Sequence, residues 1–459
     1  MNKLKEQLRH GEKIIGVWGL GYIGFSSMAY FARAGVHCIG TDVSEQRVKD
    51  VNNGKPEIPN LEYWIAFDTH QLAKAGLIKA TSNWKYLVKK DVAVHLITVP
   101  TEKDGKPYFE ILKDVITKLC EFKNIKTESP ALVIIESTMT PTSVDNVVIP
   151  LFEKNGLKVG KDILLGVAPR RDWFVSPDKT LATLPRVVGG TNPETTELMK
   201  EVLGIVCSTV LKAHDHKHAA IVKSIENAYR QVEITLANQL SLAYPELDMV
   251  QILKLAGTKW NVGTYHPSFG TGGYCIPLAP QYVLEGAKHP EALTILKASL
   301  ETDFSQPRRV VDMIKKRGFK KVGILGLAYV GDLKVPTLSP AIGIAKELKK
   351  EKILVKVNDP LFTPEEIKHY TGAEAFDFPE GMNEFDAIIM VSNHSQYRYT
   401  SHNVIKDNMK NCKMMLDNMG FWKEVEFDNK IEYHEAGGPN WLEQEKEAAT
   451  GKQKNKRLR

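Results

Sequence analysis

Two nine-residue stretches align with each other position by position, and this repeat constrains the fold more than any other feature of the chain. Residues 16–24 and 323–331 each run from a short apolar strand into a turn, and each has glycine at its first, fourth and ninth positions. An apolar strand, a glycine turn and a helix, in that order, are typical of a unit built on a parallel sheet. The repeat therefore predicts an α/β protein with two Rossmann-like domains, each a doubly wound parallel sheet.

The first copy has the features of a dinucleotide site. Its turn has the spacing G-x-G-x-x-G and leads into a helical stretch, and the next strand closes with an acidic residue about 18 positions after the third glycine. Such a turn admits a pyrophosphate at the helix N-terminus, and the acid binds a ribose diol and repels a 2′-phosphate, which favours NAD over NADP. We therefore assign to an NAD site Gly19, Gly21, Tyr22, Ile23, Gly24 and Asp42.

The second copy departs from this pattern at one position. Ala328 replaces the glycine that admits a pyrophosphate, while the following strand still ends in an acid, Asp359. A Cβ atom at that place narrows the approach of phosphate oxygens to the backbone. The second domain is therefore expected to bind a different ligand, so that each domain has one ligand.

Polar residues follow two further apolar runs, residues 93–100 and 131–135. Thr101 follows the first run, and Glu136 and Thr138 follow the second. The carboxyl ends of parallel strands form the edge at which open α/β sheets bind ligands, so we assign Thr101 and Thr138 to the cofactor site as well. Helix capping is an equally simple explanation for such residues, and the pattern alone does not choose between the two.

A long helix is predicted between the two repeats. From about residue 219 an apolar stripe continues through a long stretch until Pro245 interrupts it; the stripe consists of Ile221, Ile225, Tyr229, Val232, Leu236 and Leu240. This periodicity indicates a central helix that joins the two domains. Because the stripe is longer than one chain obviously covers, we expect a homodimer formed through this helix.

Lys223 and Asn227 are four residues apart and share one face of that helix. A lysine beside an amide on a rigid helix can stabilise an oxyanion, but an exposed polar face explains the pair as simply. Three alternating histidines, His214, His216 and His218, precede the pair, and we expect no metal site there because no carboxylate or cysteine spacing accompanies them.

A glycine-rich stretch ends at a lone cysteine. Phe269 and Gly270, Gly272 and Gly273 lead to Cys275. Glycines let backbone N–H groups approach a ligand, and a thiol at the end of such a loop is a candidate nucleophile. The alternative is a glycine-rich turn that ends in a buried structural cysteine.

Length and composition set the remaining limits. A chain of 459 residues exceeds one ordinary core, and we divide it into an NAD-binding domain (1–212), a central helical region with the cysteine loop (213–305), a second nucleotide-binding domain (306–440) and a basic, disordered tail (441–459). Much of the net charge of +6 lies in that tail, which argues against a nucleic-acid surface. The five dispersed cysteines and the lack of a membrane-length apolar run favour a reducing, cytoplasmic setting without a membrane partner.

Six motifs in a fixed order resemble the UDP-glucose/GDP-mannose dehydrogenase family. They are GLGYIG, VPT, EST, KSIENAYR, PSFGTGGYCIP and GLAY followed by Ser-Pro, and the resemblance extends to about residue 425. It implies a four-electron oxidation of a sugar C6 alcohol to a carboxylate with two NAD and a covalent cysteine intermediate. The uronates that such enzymes make generally enter surface polysaccharides.

The resemblance also implies residue roles. Cys275 matches the nucleophile that forms a thiohemiacetal and then a thioester, Lys223 and Asn227 match the pair that stabilises oxyanions, and Thr138 matches a residue that holds a catalytic water. The substrate site implied in this way comprises Lys223, Asn227, Phe269, Gly270, Gly272 and Gly273.

Several positions depart from the family pattern. The aspartate that usually follows Cys-x-Pro-x is Ala279, a glutamate after Ala168-Pro169 is Arg170, and a lysine and an arginine of the second domain are Val330 and Thr337. The acid credited with proton transfer is thus missing. We expect another group to replace it, with Glu136, Asp172 and Lys223 as candidates.

The sequence therefore predicts an NAD-dependent nucleotide-sugar 6-dehydrogenase that acts on UDP-glucose or a UDP-N-acetylhexosamine. The stretch PSFGTGGYC resembles the UDP-glucose branch and CIP-x-x-P the UDP-N-acetylhexosamine branch, so the loop leaves both open. The alternative is a catalytically weak or inactive paralogue that binds NAD and a nucleotide sugar, which Ala279 motivates. A two-electron hydroxyacid dehydrogenase would have no use for Cys275 or for a second nucleotide domain.

Overall fold

The computed structural model describes residues 3–55, 65–103, 105–125, 129–172, 179–273, 275–439 and 441. The chain forms two compact units. The first comprises Met1–Tyr229 and Leu278–Leu293, and the second comprises Arg230–Pro277 and Thr294–Arg459. The predicted disordered tail lies outside the described residues, apart from Trp441 at its start.

The strands are β1 (Ile14–Trp18), β2 (Cys38–Thr41), β3 (Ile78–Thr81), β4 (Val92–Ile97), β5 (Glu102–Lys103), β6 (Lys106–Pro107), β7 (Ala131–Ile135), β8 (Ile163–Val167), β9 (Arg186–Gly190), β10 (Val210–Lys212), β11 (Lys321–Leu325), β12 (Leu354–Asn358), β13 (Glu374–Ala375), β14 (Ala387–Met390), β15 (Met414–Asp417) and β16 (Glu432–Glu435).

The α-helices are α1 (Lys3–Arg9), α2 (Tyr22–Arg33), α3 (Glu45–Asn52), α4 (Thr69–Lys74), α5 (Glu110–Leu119), α6 (Ile149–Lys154), α7 (Pro193–Leu203), α8 (His216–Ala243), α9 (Met249–Ala256), α10 (Ala279–Gly286), α11 (Thr294–Lys316), α12 (Pro340–Lys350), α13 (Pro364–Thr371), α14 (Ser395–Tyr399) and α15 (His402–Asp407). Shorter helical turns occupy Trp84–Tyr86, Cys120–Asn124, Val144–Val148, Pro290–Ala292 and Glu380–Glu384.

Each unit contains one large sheet, as the repeat predicts. The first sheet has eight strands in the order β10-β9-β8-β7-β4-β1-β2-β3, and the second has six in the order β13-β12-β11-β14-β15-β16. All neighbouring strands of both sheets are parallel except β8 and β9, which run antiparallel. In both sheets the strand before the glycine turn, β1 or β11, is an interior strand, the third from one edge. The α/β class with parallel-sheet domains is therefore confirmed.

Both faces of the second sheet are covered by apolar side chains. Ile388 and Ile389 are neighbours in β14, and successive strand residues point to opposite faces. Both are fully buried, Ile389 in a cluster with Phe269 and Val311 and Ile388 in a cluster with Phe385. Burial on both faces explains why the strands have continuous apolar sequences instead of alternating ones.

The predicted central helix is α8, a continuous helix of 28 residues that ends two residues before Pro245. Its residues up to Tyr229 belong to the first unit and those from Arg230 to the second. Among the described residues, none of the helices combines the length and the apolar character that crossing a membrane requires.

A network of buried charges lies within the first unit. Arg170 binds Asp172 through two nitrogens, with N–O distances of 2.7 and 2.6 Å, and also donates to Ser27 Oγ at 2.6 Å. Ser27 in turn donates to Glu136 Oε2 at 2.7 Å, and Arg186 Nη2 lies 2.6 Å from Glu136 Oε1. All four charged side chains are less than 5% exposed. Ion pairing is what makes their burial tolerable.

Replacing Arg186 with methionine is expected to lower the free energy of unfolding of the first unit by about 3–5 kcal/mol, because Glu136 would keep a buried charge without its cation. Adding Glu136→Gln should restore part of this loss. Arg171→Met is the matched control: it removes a partly exposed pair with Glu226 and should cost about 1 kcal/mol or less. Urea denaturation measures all three variants, and equal midpoints for Arg186→Met and Arg171→Met would contradict the prediction.

Candidate active site

The first glycine turn connects β1 to α2 and requires glycine for two steric reasons. Gly19 has a φ of +88°, which side-chain-bearing residues rarely adopt. A Cβ atom at Gly24 would lie 1.9 Å from the carbonyl oxygen of Gly19. Helix α2 begins at Tyr22, directly after Gly21, and the structure shows no side-chain cap for its first turn in the part of the chain that it describes. Its N-terminal N–H groups are therefore suited to an anionic ligand.

Asp42 lies directly after β2 and is hydrogen-bonded to that turn. Its Oδ2 accepts a hydrogen bond from Leu20 N at 2.8 Å, its Oδ1 accepts one from Ser44 N at 2.9 Å, and Arg47 Nη1 lies 3.3 Å away. The carboxylate thus joins the glycine turn to the end of the neighbouring strand, where a bound ribose would lie if the pyrophosphate occupied the N-terminus of α2.

The second glycine turn has a similar backbone conformation but different hydrogen-bond partners. Gly326 again has a positive φ, of +93°, and Asp359 Oδ2 accepts hydrogen bonds from Leu327 N at 2.7 Å and Ala328 N at 2.9 Å. The buried His394 bridges the turn, because its Nδ1 accepts from Asp332 N and its Nε2 donates to the same Asp359 oxygen at 3.0 Å. A buried imidazole therefore shares the Asp359 oxygen that accepts from the turn, and the first turn has no described counterpart of this histidine.

Thr101 and Thr138 lie close together, as their positions at two strand ends predict. Thr101 Oγ1 donates to the carbonyl oxygen of Thr138 at 2.7 Å, and Tyr282 OH donates to the carbonyl oxygen of Thr101 at 2.5 Å. Burial raises the pKa of the Tyr282 phenol, which keeps it a donor. Thr138 is half-buried, whereas Thr101 is buried. The sequence analysis did not single out Tyr282 of α10, because this residue belongs to none of the sequence motifs.

Glu136 and Asp172, the two carboxylates considered as replacement bases, both belong to the buried ion network of the first unit. Each uses both oxygens, Glu136 for Arg186 and Ser27 and Asp172 for Arg170. Burial alone would raise the pKa of Asp172, but the Arg170 guanidinium outweighs this effect and holds the pKa below its usual range. The geometry thus favours a structural role for both, and a catalytic role for Glu136 stays a prediction.

Lys223 and Asn227 lie on α8 within the first unit, Lys223 half-buried and Asn227 about 9% exposed. Of the three histidines that precede them, His214 and His218 contact Asp215, which the sequence analysis overlooked, whereas His216 lies 2.7 Å from Asp145 Oδ1. Asp215 Oδ1 accepts from His218 N at 3.0 Å and lies 2.7 Å from His218 Nδ1, while His214 lies 3.5 Å from Oδ2. Asp215 directly precedes α8, so capping of the helix explains this exposed group, and the absence of a metal site stays a prediction.

The cysteine loop lies in the second unit and is held by side chains from three elements. Asn238 Oδ1 of α8 accepts from Ser268 N at 2.6 Å, Asn418 Oδ1 after β15 accepts from Phe269 N at 2.8 Å, and Asp303 Oδ1 of α11 accepts from Thr271 N at 2.9 Å.

The ring of Phe269 supports the loop from within the core. It is fully buried and stacks on Trp441 at a centroid distance of 6.0 Å. The side chain of Phe269 therefore anchors the loop in this structure, and a contact with substrate at this position stays a prediction.

The glycines of the loop have a packing function that the sequence did not reveal. Gly270 and Gly273 have positive φ values of +123° and +84°, and Gly272 and Gly273 lie against the side chain of Tyr329 from the second glycine turn. A Cβ atom at Gly272 would lie 2.5 Å from Tyr329 Cβ. Cys275 follows this contact and is half-buried.

The other four cysteines are fully buried. Burial raises the pKa of Cys120 and Cys207 to about 11 and that of Cys412 to about 12, and it raises the pKa of Cys38 further. Cys275 is therefore the thiol that the structure leaves most accessible.

Comparison with known proteins shows the relationship that these features suggest. Residues 13–206 match the NAD binding domain of the UDP-glucose/GDP-mannose dehydrogenase family, residues 217–303 match its central domain, and residues 323–424 match its UDP binding domain. The chain belongs to this family. NAD as the cofactor and the class of NAD-dependent dehydrogenase are thereby confirmed.

Individual relatives agree with this assignment. The UDP-N-acetyl-D-mannosamine dehydrogenase of Methanocaldococcus jannaschii is 30% identical over 88% of this chain and 90% of its own length. The UDP-N-acetyl-D-glucosamine 6-dehydrogenase of Pseudomonas aeruginosa is 27% identical over 84% of this chain and 91% of its own length. Among solved structures, the UDP-D-ManNAc dehydrogenase of Pyrococcus horikoshii has a TM-score of 0.79 at 25% identity, covering 93% of this chain and 99% of that one.

The family domains explain why the two glycine turns differ. The turn that Asp42 binds lies in the NAD binding domain, and the turn that His394 bridges lies in the UDP binding domain. The position of the missing family aspartate is also well defined: Ala279 is the first residue of α10 and is 3% exposed.

Asp303 was missed by sequence analysis, although a polar residue among the buried positions of an amphipathic helix is a recognisable signal. Thr271 Oγ1 lies 2.5 Å from Asp303 Oδ2 and 3.2 Å from Gln231 Oε1. Burial raises the pKa of Asp303, although the hydrogen bonds from Thr271 act in the opposite direction.

Asp303→Asn is expected to change how stability depends on pH. Because the folded state holds the Asp303 proton more tightly than the unfolded state, the wild type should lose stability relative to the variant as pH rises above about 4 and through the raised pKa. Urea midpoints between acidic and neutral pH measure the trend. The exposed Asp312→Asn on the same helix is the control, and a constant difference between wild type and Asp303→Asn would contradict the prediction.

Proposed function

We propose that this protein oxidises the C6 alcohol of a UDP-N-acetylhexosamine to the uronate, with two NAD per sugar and a covalent intermediate on Cys275. The observation that carries the proposal is the accessible thiol of Cys275 at the end of a glycine loop that three side chains hold in place. The relatives named for UDP-N-acetyl-D-mannosamine and UDP-N-acetyl-D-glucosamine support this sugar class over UDP-glucose.

NAD, when bound at the first turn, accepts a hydride in each oxidation. Residues of this chain would carry out the other chemical steps. The thiolate of Cys275 would add to the C6 aldehyde to form a thiohemiacetal, whose oxidation leaves a thioester. Lys223 and Asn227 would stabilise the negative oxygen, and Thr138 would hold the water that releases the uronate and restores the thiol. Gly270, Gly272 and Gly273 would bind the nucleotide sugar through their backbone.

Incubation of the purified full-length protein with NAD and a panel of UDP-N-acetyl-D-mannosamine, UDP-N-acetyl-D-glucosamine, UDP-glucose and GDP-mannose should produce NADH. We expect two NADH per uronate and the highest kcat/KM with one of the two N-acetylhexosamines. Cys275→Ala should abolish uronate formation because no thioester can form, whereas Cys120→Ala, which changes a thiol at the end of α5, should retain it.

The outcome also tests the alternative. Tight binding of NAD and a UDP-sugar without turnover would favour the inactive paralogue that Ala279 motivates. Full uronate production by Cys275→Ala would contradict the covalent mechanism.

A homodimer through the central helices is part of the proposal. In the second unit, Leu236 of α8, Leu255 of α9 and Trp260 are 50%, 63% and 92% exposed, and apolar surface of this kind is characteristic of protein interfaces. A cytoplasmic location also belongs to the proposal, supported by five unpaired cysteines.

Small-angle scattering of the wild type should give the mass of a dimer. Leu255→Glu should shift the mass toward that of a monomer, because a buried carboxylate at the interface is unfavourable. Tyr399→Glu, at a more exposed position on α14, should leave the dimer intact. A monomeric wild type at micromolar concentration would contradict the interface.

A further inference from the structure

The segment of residues 329–338, which includes the end of the second glycine turn, lies against the cysteine loop. Gly273 N donates a hydrogen bond to the carbonyl oxygen of Thr337 at 2.8 Å. At the other end of the segment, Tyr329 packs on the loop, since a Cβ atom at Gly272 would lie 2.5 Å from the Tyr329 Cβ. A displacement of the segment would therefore also displace the glycines of the cysteine loop.

The middle of this segment is fixed by three consecutive residues that follow β14. Gly331 N donates to Asn393 Oδ1 at 3.0 Å. Asp332 N donates to His394 Nδ1, also at 3.0 Å. The Asp332 carboxylate accepts from Ser395 N at 2.9 Å and from the Ser395 hydroxyl. Asp332 has a φ of +59°, which is uncommon for a residue with a side chain, so its conformation depends on these contacts.

The hydrogen bonds of His394 define its protonation state. Its Nδ1 accepts the Asp332 N–H, so this nitrogen has no proton, and its Nε2, 3.0 Å from Asp359 Oδ2, is the donor. His394 is fully buried. Among the described residues, the titratable groups that face it are Asp359 after β12, Asp332, and Tyr397 of α14, whose hydroxyl is bound to Asn358. The contacts around Nδ1 thus require the neutral imidazole.

A proton on Nδ1 would reverse the contact with Asp332, because two N–H groups would then face each other. The nearest carboxylate oxygen on that side is Asp332 Oδ1, at 3.8 Å from Nδ1, and it already accepts from Ser395 N. An imidazolium could bind this oxygen only after Asp332 moves away from Ser395. A charged His394 therefore favours a different position of residues 329–338.

We propose that His394 is a positioning residue whose neutral form holds residues 329–338 against the cysteine loop, and that its protonation releases this segment and weakens binding of the nucleotide sugar. The segment lies in the part of the chain that matches a UDP binding domain. The inference rests on the proposed function for the choice of a UDP-sugar as ligand. Because histidines ordinarily titrate between about pH 5 and pH 8, the affinity would change with pH in that range.

Hydrogen exchange of the full-length protein, followed by mass spectrometry of peptides from residues 329–338, tests the release without a ligand. His394→Asn is compared with the wild type at each pH, because asparagine offers an acceptor for the Asp332 N–H but cannot be protonated. Relative to this variant, exchange in the wild type should rise by about tenfold from about pH 7.5 to about pH 5.5. His402→Asn, at an exposed position on α15, is the control and should behave as the wild type.

Asp332→Asn is a second variant that does not depend on replacing a buried residue. Asparagine keeps an oxygen for Ser395 N and tolerates a positive φ, but it removes the negative charge near Nδ1. Since that charge favours the imidazolium, the release should shift to lower pH in this variant. An unchanged midpoint in Asp332→Asn, or an equal pH dependence in wild type and His394→Asn, would overturn the proposal.

Calorimetric titration with UDP-N-acetyl-D-glucosamine in the absence of NAD measures the effect on binding. Unlike UDP, this ligand has no terminal phosphate that titrates near about pH 6. Its affinity for the wild type should fall by about tenfold over the same pH interval and stay constant in His394→Asn. Constant affinity despite release of the segment would overturn the role in substrate binding. Release at low pH without binding of this UDP-sugar at any pH would support the role of His394 in holding the segment and contradict the proposed function instead.

Discussion

The cysteine loop depends on backbone hydrogen bonds that secondary structure does not provide. Asn238, Asn418 and Asp303 supply side-chain oxygens to three N–H groups of four consecutive loop residues. Buried N–H groups without partners would cost about 1–3 kcal/mol each, so these acceptors decide whether a loop of this shape can lie against the core. These three side chains come from α8, α11 and the segment after β15. The loop therefore adopts this conformation only when the whole second unit is folded.

The two glycine turns show how one backbone motif can serve two ligands. In each, a carboxylate at the end of the second strand accepts hydrogen bonds from the turn, through Asp42 in one unit and Asp359 in the other. The difference lies in the side chain that binds each carboxylate. The buried His394 donates to the Asp359 oxygen that already accepts from the turn, whereas Asp42 is paired with Arg47. The match of this part of the chain to a UDP binding domain agrees with that difference.

Burial of charge explains why a strand-end position is a weak guide to chemistry. Glu136 follows β7 at the edge where ligands bind, yet both its oxygens are used by Arg186 and Ser27. Arg170, which stands where the family usually has a glutamate, neutralises Asp172 in the same network. These ion pairs join residues that are far apart in sequence, so no local sequence pattern predicts them.

The sequence by itself determined the two parallel sheets, the cofactor turn and the central helix, because each is encoded by local periodicity or by glycines whose backbone angles no other residue adopts easily. It also singled out Cys275, and family membership followed from the order of the motifs. Only the tertiary structure decided that Tyr329 packs on Gly272 and Gly273, that His394 closes the second turn, and that Glu136 belongs to an ion network. Each of these is a contact between residues more than 30 positions apart, and its energy depends on burial and pairing that a linear pattern does not contain.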